Sequence, residues 1–274
     1  MLRADLHTHS TASDGTLPPH EVIALAVEAG LDQLALTDHD TLDGYKRLDL
    51  SKLHGLRIIN GIELSTSWSG IGVHIVGLNV DLDNATLGAG VELHRQARIV
   101  RARGIAAILA DAGLAIELEA VYTLAGGVPG RPHFARHLVE QGLIKDTKLA
   151  FKRHLGAGRP GDIKTGWAAL ETVIDWIHAA GGVATLAHPA RYKLSRSKLR
   201  RLVDSFKEAG GDALEVVSGR QHTDVTAHLA GLSKTCNLLA SCGSDFHVPG
   251  HSWSKIGMPL TLPSQCAPVW HSWE

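Results

Sequence analysis

The sequence of 274 residues contains few cysteines and no long hydrophobic run. Its three cysteines, Cys236, Cys242 and Cys266, form no CxxC pair, which indicates a reducing cytoplasm rather than a disulfide framework. No window approaches the roughly 18 uninterrupted apolar residues of a membrane-spanning helix. Residues 1–7 contain no apolar signal region either. We therefore expect a cytoplasmic protein that does not associate with membranes.

The net charge is close to zero, and aromatic residues are few. The formal net charge is −1 at pH 7, so no global basic field attracts long nucleic acids. Aromatic residues make up 5% of the chain, which argues against an aromatic stacking platform, and we expect most of the six tryptophans to serve packing. Duplex DNA is therefore not an expected partner, and any nucleic acid should be short and handled from an end.

Strand and helix patterns alternate in the first and last thirds of the chain. The predicted strands are Leu2–Leu6, Leu34–Thr37, Arg57–Ile62, Val73–Leu78, Val183–Ala187, Ala213–Val217 and Leu238–Ser241. A helix is predicted over Asp43–Leu53, with Asp40 and Asp43 as its caps. The alternation favours an α/β fold with parallel strands, arranged as a barrel or a doubly wound sheet.

The strand signal vanishes in residues 93–165, where helical patterns cover Ala97–Ala112 and Pro132–Gln141. We therefore predict a barrel domain of residues 1–92 and 166–274, interrupted by a helical insertion of residues 93–165. Residues 131–164 contain eight lysines and arginines against three acidic residues. Such a bias is more often a solvated face than a binding site.

Histidines and carboxylates follow most of the predicted strands. His7 and His9 are two apart in an extended segment, so both imidazoles point to one side. Each residue alone has an ordinary explanation as a satisfied polar group or a cap. Together they mark the carboxyl ends of strands, where α/β folds place their sites. The candidate ligands are His7, His9, Asp14, His39, Glu63, His74, His188, Asp245 and His247.

Mixed imidazole and carboxylate donors without a thiolate favour Mn²⁺, Zn²⁺ or Fe²⁺. Nine ligands exceed what one tetrahedral ion uses, so we expect at least two ions that share a bridging carboxylate. Such ions lower the pKa of bound water towards about 7 and clamp the oxygens of a phosphoryl group.

Five spaced motifs resemble the PHP (polymerase and histidinol phosphatase) superfamily. They are His7-Thr8-His9-Ser10, Thr37-Asp38-His39-Asp40, Gly61-Ile62-Glu63-Leu64-Ser65, Ala187-His188-Pro189 and Gly243-Ser244-Asp245-Phe246-His247. They occur in the family's order and span the chain. The segments Gly130–Arg136 and Ile177–Val183 resemble the branch of 3′,5′-nucleoside bisphosphate phosphatases that also act as 5′-to-3′ exoribonucleases on short RNA.

The resemblance implies a distorted (βα)₇ barrel with the helical insertion over its C-terminal mouth. It also implies three ions, with Mn²⁺ favoured. The first would be held by His7, His9, Glu63 and Asp245, the second by Glu63, His74 and His188, and the third by Asp14, His39 and His247. The expected reaction is attack by a metal-bound hydroxide on the 3′-phosphate of a nucleoside 3′,5′-bisphosphate.

A phosphorylated nucleotide at such a mouth needs cationic partners beyond the metals. Arg98 and Arg101 are three apart on a predicted helix and share a face, so they are the first candidates for the substrate phosphate. Arg131, His133 and Arg136 follow. For each residue the alternative is a solvated surface position.

Three other functions stay open at this point. A histidinol-phosphate phosphatase would need an acidic partner for its substrate's amine, which the basic insertion disfavours. A metal-dependent amidohydrolase also uses an HxH motif after its first strand, but it usually bridges its ions with a carboxylated lysine, and here Glu63 is the bridging candidate. A non-catalytic PHP module is disfavoured by the complete ligand set.

Overall fold

The computed structural model describes residues 2–48, 53–164 and 166–273 of the chain. The strands are β1 (Ala4–Thr8), β2 (Gln33–Leu36), β3 (Arg57–Trp68), β4 (Ile71–Leu78), β5 (Val183–Leu186), β6 (Ala213–Ser218) and β7 (Leu239–Gly243). The helices are α1 (Pro19–Glu28), α2 (Ala85–Asp111), α3 (Leu118–Ala125), α4 (Arg131–Glu140), α5 (Thr147–Ala150), α6 (Leu170–Ala179), α7 (Arg196–Glu208) and α8 (Thr223–Thr235).

The strands form one seven-stranded sheet in which each pairs with the next along the chain, from β1 to β7. Backbone hydrogen bonds then bring the two edge strands together. The Asp245 N–H donates to the His7 carbonyl at 2.8 Å, and the His9 N–H donates to the Phe246 carbonyl at 2.9 Å. The sheet is therefore a nearly closed barrel, and the predicted α/β barrel is confirmed.

Strand β4 runs opposite to its neighbours. It pairs antiparallel with β3 and β5, whereas the other adjacent strands pair in parallel. The prediction of parallel strands was wrong for β4. Its connection to β3 is the turn Ser69-Gly70, with left-handed φ angles of 46° and 73°, as in the tight turns that join antiparallel strands. The reversal places the first residues of β4 at the edge where the parallel strands end.

Apolar side chains between the sheet and its covering helices form the main core. Leu64, Ile75 and Leu186 of the sheet are fully buried in one cluster with Ile177 of α6 and Phe206 of α7. Burying each such side chain stabilises the fold by about 1.5–3 kcal/mol. The helices thus secure the outer face of the sheet and leave the barrel mouth to polar side chains.

Residues 93–165, which we call the cap, contain a second apolar cluster. Ile105, Leu109, Phe134 and Leu138 are buried in it. Helix α2 begins against the barrel, where Gly90 lies against the Trp176 ring, and its last turns reach the cap cluster. The boundary predicted at residues 92/93 therefore falls inside a continuous helix.

The segment after β2 differs from its prediction. Residues Tyr45–Arg47 form a 3₁₀ turn in place of the first turns of the predicted Asp43–Leu53 helix, and residues 49–52 lie outside the described part of the chain. Asp43 is exposed and accepts a hydrogen bond from Lys46 Nζ at 2.6 Å. Its predicted capping role was wrong, because Gly44 precedes the turn. Within the described residues, no helix is both long and apolar enough to cross a membrane.

Candidate metal centre

The nine candidate ligands meet at the barrel mouth. His7 and His9 come from the end of β1, while Glu63 and His74 lie on the adjacent strands β3 and β4. Register explains the position of His74, which pairs with Ser65, two residues beyond Glu63. The others follow parallel strands: Asp14 in the loop after β1, His39 after β2, His188 after β5, and Asp245 and His247 after β7.

Glu63 lies at the centre of this cluster and is fully buried. Its Oε2 atom is 3.2 Å from Nε2 of both His7 and His9 and 2.9 Å from Nδ1 of His39. Its Oε1 atom is 2.9 Å from His74 Nδ1 and 3.0 Å from His188 Nε2. Each oxygen faces a different set of imidazoles, so this carboxylate is placed to bridge two cations.

The other carboxylates extend the cluster on one side. Asp245 Oδ1 is 3.2 Å from His9 Nε2 and 3.4 Å from His247 Nδ1. Asp14 Oδ1 is 3.3 Å from His247 Nε2, and its Oδ2 is 3.7 Å from His39 Nε2. Three overlapping groups result, each with donor atoms within 4.8 Å of one another: His9, Asp14, His39 and His247; His7, His9 and Glu63; His39, Glu63 and His74.

Several of these buried donor atoms have no hydrogen-bond partner within the described residues. They include Nδ1 of His9, Oδ1 of Asp14, Nδ1 of His39 and Oε2 of Glu63. Burying a polar atom without a partner is unfavourable, and native proteins rarely tolerate several in one place. Convergent imidazole and carboxylate donors of this kind fit divalent cations, so the residues present suit a metal centre.

The charges of the cluster also suit cations. Burial alone would raise the pKa of Glu63, yet His39, His7 and His74 hold it well below its usual range. Burial alone would lower the pKa of His9, but Asp245 and Glu63 raise it to about 10. The carboxylates thus hold protons on His7 and His9 when no cation is bound, whereas burial lowers the pKa of His74 to about 4. Metal binding releases such protons, so affinity should fall in acid.

Glu215 of β6 supports this cluster and was missed by the sequence analysis. It is 2% exposed, accepts a hydrogen bond from His7 Nδ1 at 3.1 Å, and accepts the backbone N–H of His188 at 2.6 Å. A partner on the far nitrogen of a ligating histidine fixes its ring and tautomer. The available signal was a charged residue in the middle of the apolar strand Ala213–Ser218.

Two further residues after β5 were also missed. The Arg191 guanidinium donates to the Asp245 carboxylate beside the cluster. The Tyr192 hydroxyl accepts the backbone N–H of His74 at 3.0 Å, and its ring lies edge-on to that of His188. The backbone φ of His188 is 29°, a value that residues other than glycine rarely adopt. These contacts therefore hold a strained backbone at the site.

Asp40 fixes the cap to the barrel. Its buried carboxylate accepts hydrogen bonds from the Ser65 N–H at 2.7 Å, from His94 Nδ1 at 2.8 Å and from Arg98 Nε at 2.7 Å. The predicted capping role of Asp40 was therefore wrong, because its carboxylate oxygens accept hydrogen bonds from β3 and α2. Burial opposes ionisation, but Arg98 and His94 hold the pKa of Asp40 far below its usual range.

Arg98 and Arg101 lie against one aromatic ring at the cap side of the mouth. Each guanidinium carbon is 5.5 Å from the centroid of the Trp167 ring. Arg98 is oriented by Asp40, whereas Arg101 Nε donates to the Ile163 carbonyl at 2.8 Å. Burial is the main cause that lowers the pKa of Arg101, to about 9. Both side chains are held in place before any ligand binds.

The remaining candidates belong to helix α4. Arg131 donates to Asp162 at 2.8 Å. His133 is buried and its Nδ1 accepts the Gly130 N–H at 3.0 Å, which leaves the proton on Nε2; burial lowers its pKa to about 4. Arg136 differs because its buried Nε has no hydrogen-bond partner in the described part of the chain.

Three cavities among the described residues border the candidate ligands, and the first, of about 470 Å³, lies against Asp14, His39 and Arg98. The cap pocket, of about 720 Å³, is lined by His74, His188, Arg98, Arg101 and Trp167 among others. The side groove, of about 270 Å³, is lined by Asp14, Asp245, His247, Arg136 and Trp253 among others. Arg191 lines both. Trp253 is 52% exposed.

Known proteins resemble this chain over nearly its whole length. Residues 5–87 match the model of the PHP domain. A 3′,5′-nucleoside bisphosphate phosphatase of Chromobacterium violaceum is 40% identical, over 100% of this chain and 97% of that protein. The 5′-3′ exoribonuclease Rnm of Escherichia coli K12 is 42% identical, over 98% of this chain and 93% of that protein.

A solved structure from Chromobacterium violaceum, described as an amidohydrolase with bound sulfate and no metal, superimposes with a TM-score of 0.89 at 39% identity. The superposition covers 98% of this chain and 95% of that one. The chain therefore belongs to the PHP family, and the predicted resemblance is confirmed. Its match to the phosphatase and to the exoribonuclease extends over essentially the whole chain, cap included.

Proposed function

We propose that this protein is a metal-dependent phosphoric ester hydrolase that removes the 3′-phosphate of nucleoside 3′,5′-bisphosphates. The products are a nucleoside 5′-monophosphate and phosphate. The same centre would trim short single-stranded RNA from its 5′ end. The observation that carries the proposal is the buried Glu63 carboxylate, surrounded by imidazoles at 2.9–3.2 Å and flanked by the cationic cap pocket.

The proposed centre holds two or three divalent ions, with Mn²⁺ favoured over Zn²⁺ and Fe²⁺. His7, His9, Glu63 and Asp245 would hold the first ion, Glu63, His74 and His188 the second, and Asp14, His39 and His247 the third. When bound, such ions activate water and neutralise charge on phosphoryl oxygens. The atoms without hydrogen-bond partners described above support this assignment.

The cap residues would orient the rest of the substrate. Arg98 gives two of its nitrogens to Asp40, at 2.7 and 2.6 Å, and its remaining nitrogen points towards Gly130. It can therefore donate to a phosphate without giving up its anchor. His133, neutral and protonated on Nε2, offers a second donor nearby. Arg101 and Arg131 add positive charge to the cap pocket, and Arg136 adds it to the side groove.

The first experiment follows phosphate release from adenosine 3′,5′-bisphosphate by the purified protein with Mn²⁺. p-Nitrophenyl phosphate and histidinol phosphate serve as comparison substrates. We expect rapid release that EDTA abolishes, with adenosine 5′-monophosphate as the other product. Turnover of histidinol phosphate without release from the bisphosphate would overturn the proposed substrate and keep the metal centre.

Variants test the metal centre itself. His7→Ala and Asp245→Ala should each abolish activity and lower the bound Mn²⁺ measured by elemental analysis. His20→Ala removes an exposed imidazole at the start of α1 and should behave as the wild type. Full activity in either ligand variant would refute the site. A cytoplasmic location, supported by the three free cysteines, belongs to the same proposal.

A further inference from the structure

The side groove leads from the candidate ligands to an exposed tryptophan. Asp245 and His247 line its inner end, and Trp253 lines its outer end. The loop between them is fixed at two points. Ser254 Oγ donates to the Asp245 carbonyl at 2.6 Å, and the Arg220 N–H donates to the Trp253 carbonyl at 2.7 Å. These hydrogen bonds hold the loop that carries Trp253 beside the candidate ligand Asp245.

The Trp253 ring is built as half of an aromatic stack. It lies parallel to the His251 ring, with centroids 4.2 Å apart and an interplanar angle of 18°. With 52% of the residue exposed, the ring retains surface that another flat group can cover. Stacking on aromatic side chains is how proteins hold single-stranded bases without reading their sequence.

Cationic side chains lie along the same groove. Arg191, beside Asp245, lines it at the cluster, and Arg136 lines its cap wall. Arg136 is partly exposed and lines the groove, so its positive charge faces a ligand there. A groove lined by an aromatic stack, two arginines and the candidate ligands suits a nucleotide joined through its phosphate.

RNA and the bisphosphate differ in what they place beyond the reacting phosphorus. In both, a water oxygen bonds to phosphorus, the bond from phosphorus to the 3′ oxygen breaks, and that oxygen takes a proton. With the bisphosphate, free phosphate leaves. With RNA, the phosphate stays on the 5′ oxygen of the next nucleotide, which therefore needs a binding surface of its own beside the reacting phosphorus.

We infer that the side groove binds this second nucleotide of a short single-stranded RNA, with its base stacked on Trp253. The first nucleoside then occupies the cap pocket, which adjoins the side groove at Asp14 and Arg191. The inference rests on the proposed function and assigns the two activities to different parts of one mouth. The bisphosphate needs the cap pocket alone, whereas RNA needs both cavities.

The test compares two substrates in Trp253→Ala, namely a 5′-phosphorylated RNA pentanucleotide and adenosine 3′,5′-bisphosphate. We expect kcat/KM for the RNA to fall about tenfold or more, as for other lost base stacks, so that the ratio of RNA to bisphosphate activity falls as much. Trp253→Phe keeps a ring and should restore most of the ratio. In EDTA, fluorescence anisotropy should show correspondingly weaker binding of a 3′-labelled pentanucleotide to Trp253→Ala.

Leu143→Ala, which shortens a 41% exposed apolar side chain of the cap outside the groove, is the matched control and should leave the ratio unchanged. An unchanged ratio in Trp253→Ala, or an equal loss on both substrates, would overturn the inference. So would a wild-type enzyme that hydrolyses the bisphosphate but no RNA. Failure of the wild type on both substrates would instead remove the proposed function, which separates the two results.

Discussion

Glu215 shows how one buried side chain sets the geometry of the candidate ligands. Its carboxylate accepts hydrogen bonds from His7 and from the backbone of His188, and the residue is 2% exposed. Glu215→Gln keeps the shape but removes the charge that favours the His7 tautomer. We expect metal affinity or activity to fall about 10- to 100-fold, as is typical for partners of metal ligands.

Titration of the metal-free protein with Mn²⁺, alongside phosphate release, measures this loss. Glu208→Gln makes the same change at an exposed position at the end of α7 and should be silent. Wild-type affinity in Glu215→Gln would mean that β6 does not support the metal centre.

At the residue scale, the sequence was most informative where a metal-ligating residue type stood at the end of a predicted strand. His7, His9, Glu63 and Asp245 follow strands, so their clustering could be predicted from strand ends alone; their role as ligands stays a prediction. Asp40 was misjudged because its partners, 25 to 58 positions away, are brought to it only by the fold.

At the scale of elements, the turn between β3 and β4 favours a glycine at position 70. Gly70 has a φ of 73° and no neighbour within 4 Å of an added Cβ, so only its backbone conformation resists substitution. Gly70→Ala should lower the free energy of unfolding by about 1 kcal/mol and leave activity unchanged. Gly72→Ala, two residues on and equally open, lacks the left-handed φ and should be neutral. Urea denaturation measures the free energy of unfolding of both variants. Equal values for Gly70→Ala and Gly72→Ala would contradict a left-handed turn.

Most strands were predictable, but the direction of β4 was not. A buried apolar run reads the same in both directions, so hydrophobic pattern alone cannot orient a strand. The signal that could have oriented it is the short connection, since a parallel crossover needs a dozen or more residues and Ser69-Gly70 supplies two. The 3₁₀ turn at Tyr45–Arg47 was missed for a related reason, because helical periodicity there is too short to separate the two kinds of helix.

For the whole molecule, cation binding should add stability. Glu63, His9 and the other donors converge with few hydrogen bonds of their own, and a ligand that binds only the folded state stabilises it. Mn²⁺ at about 100 times its dissociation constant should add about 2.7 kcal/mol. The melting temperature should then rise by roughly 5 °C or more relative to protein in EDTA. Thermal unfolding monitored by fluorescence measures the shift, which His7→Ala should largely lose. Equal melting temperatures for the wild type with and without Mn²⁺ would contradict cation binding.

The continuity of α2 has a mechanical consequence. Its 27 residues extend about 40 Å from the barrel wall into the cap, with Gly90 against Trp176 at one end and Leu109 in the cap core at the other. A continuous helix of this length resists bending, and the Asp40–Arg98 ion pair attaches its middle to the barrel rim. We therefore expect the mouth to keep a nearly constant width, with substrates entering sideways between α2 and the barrel rim.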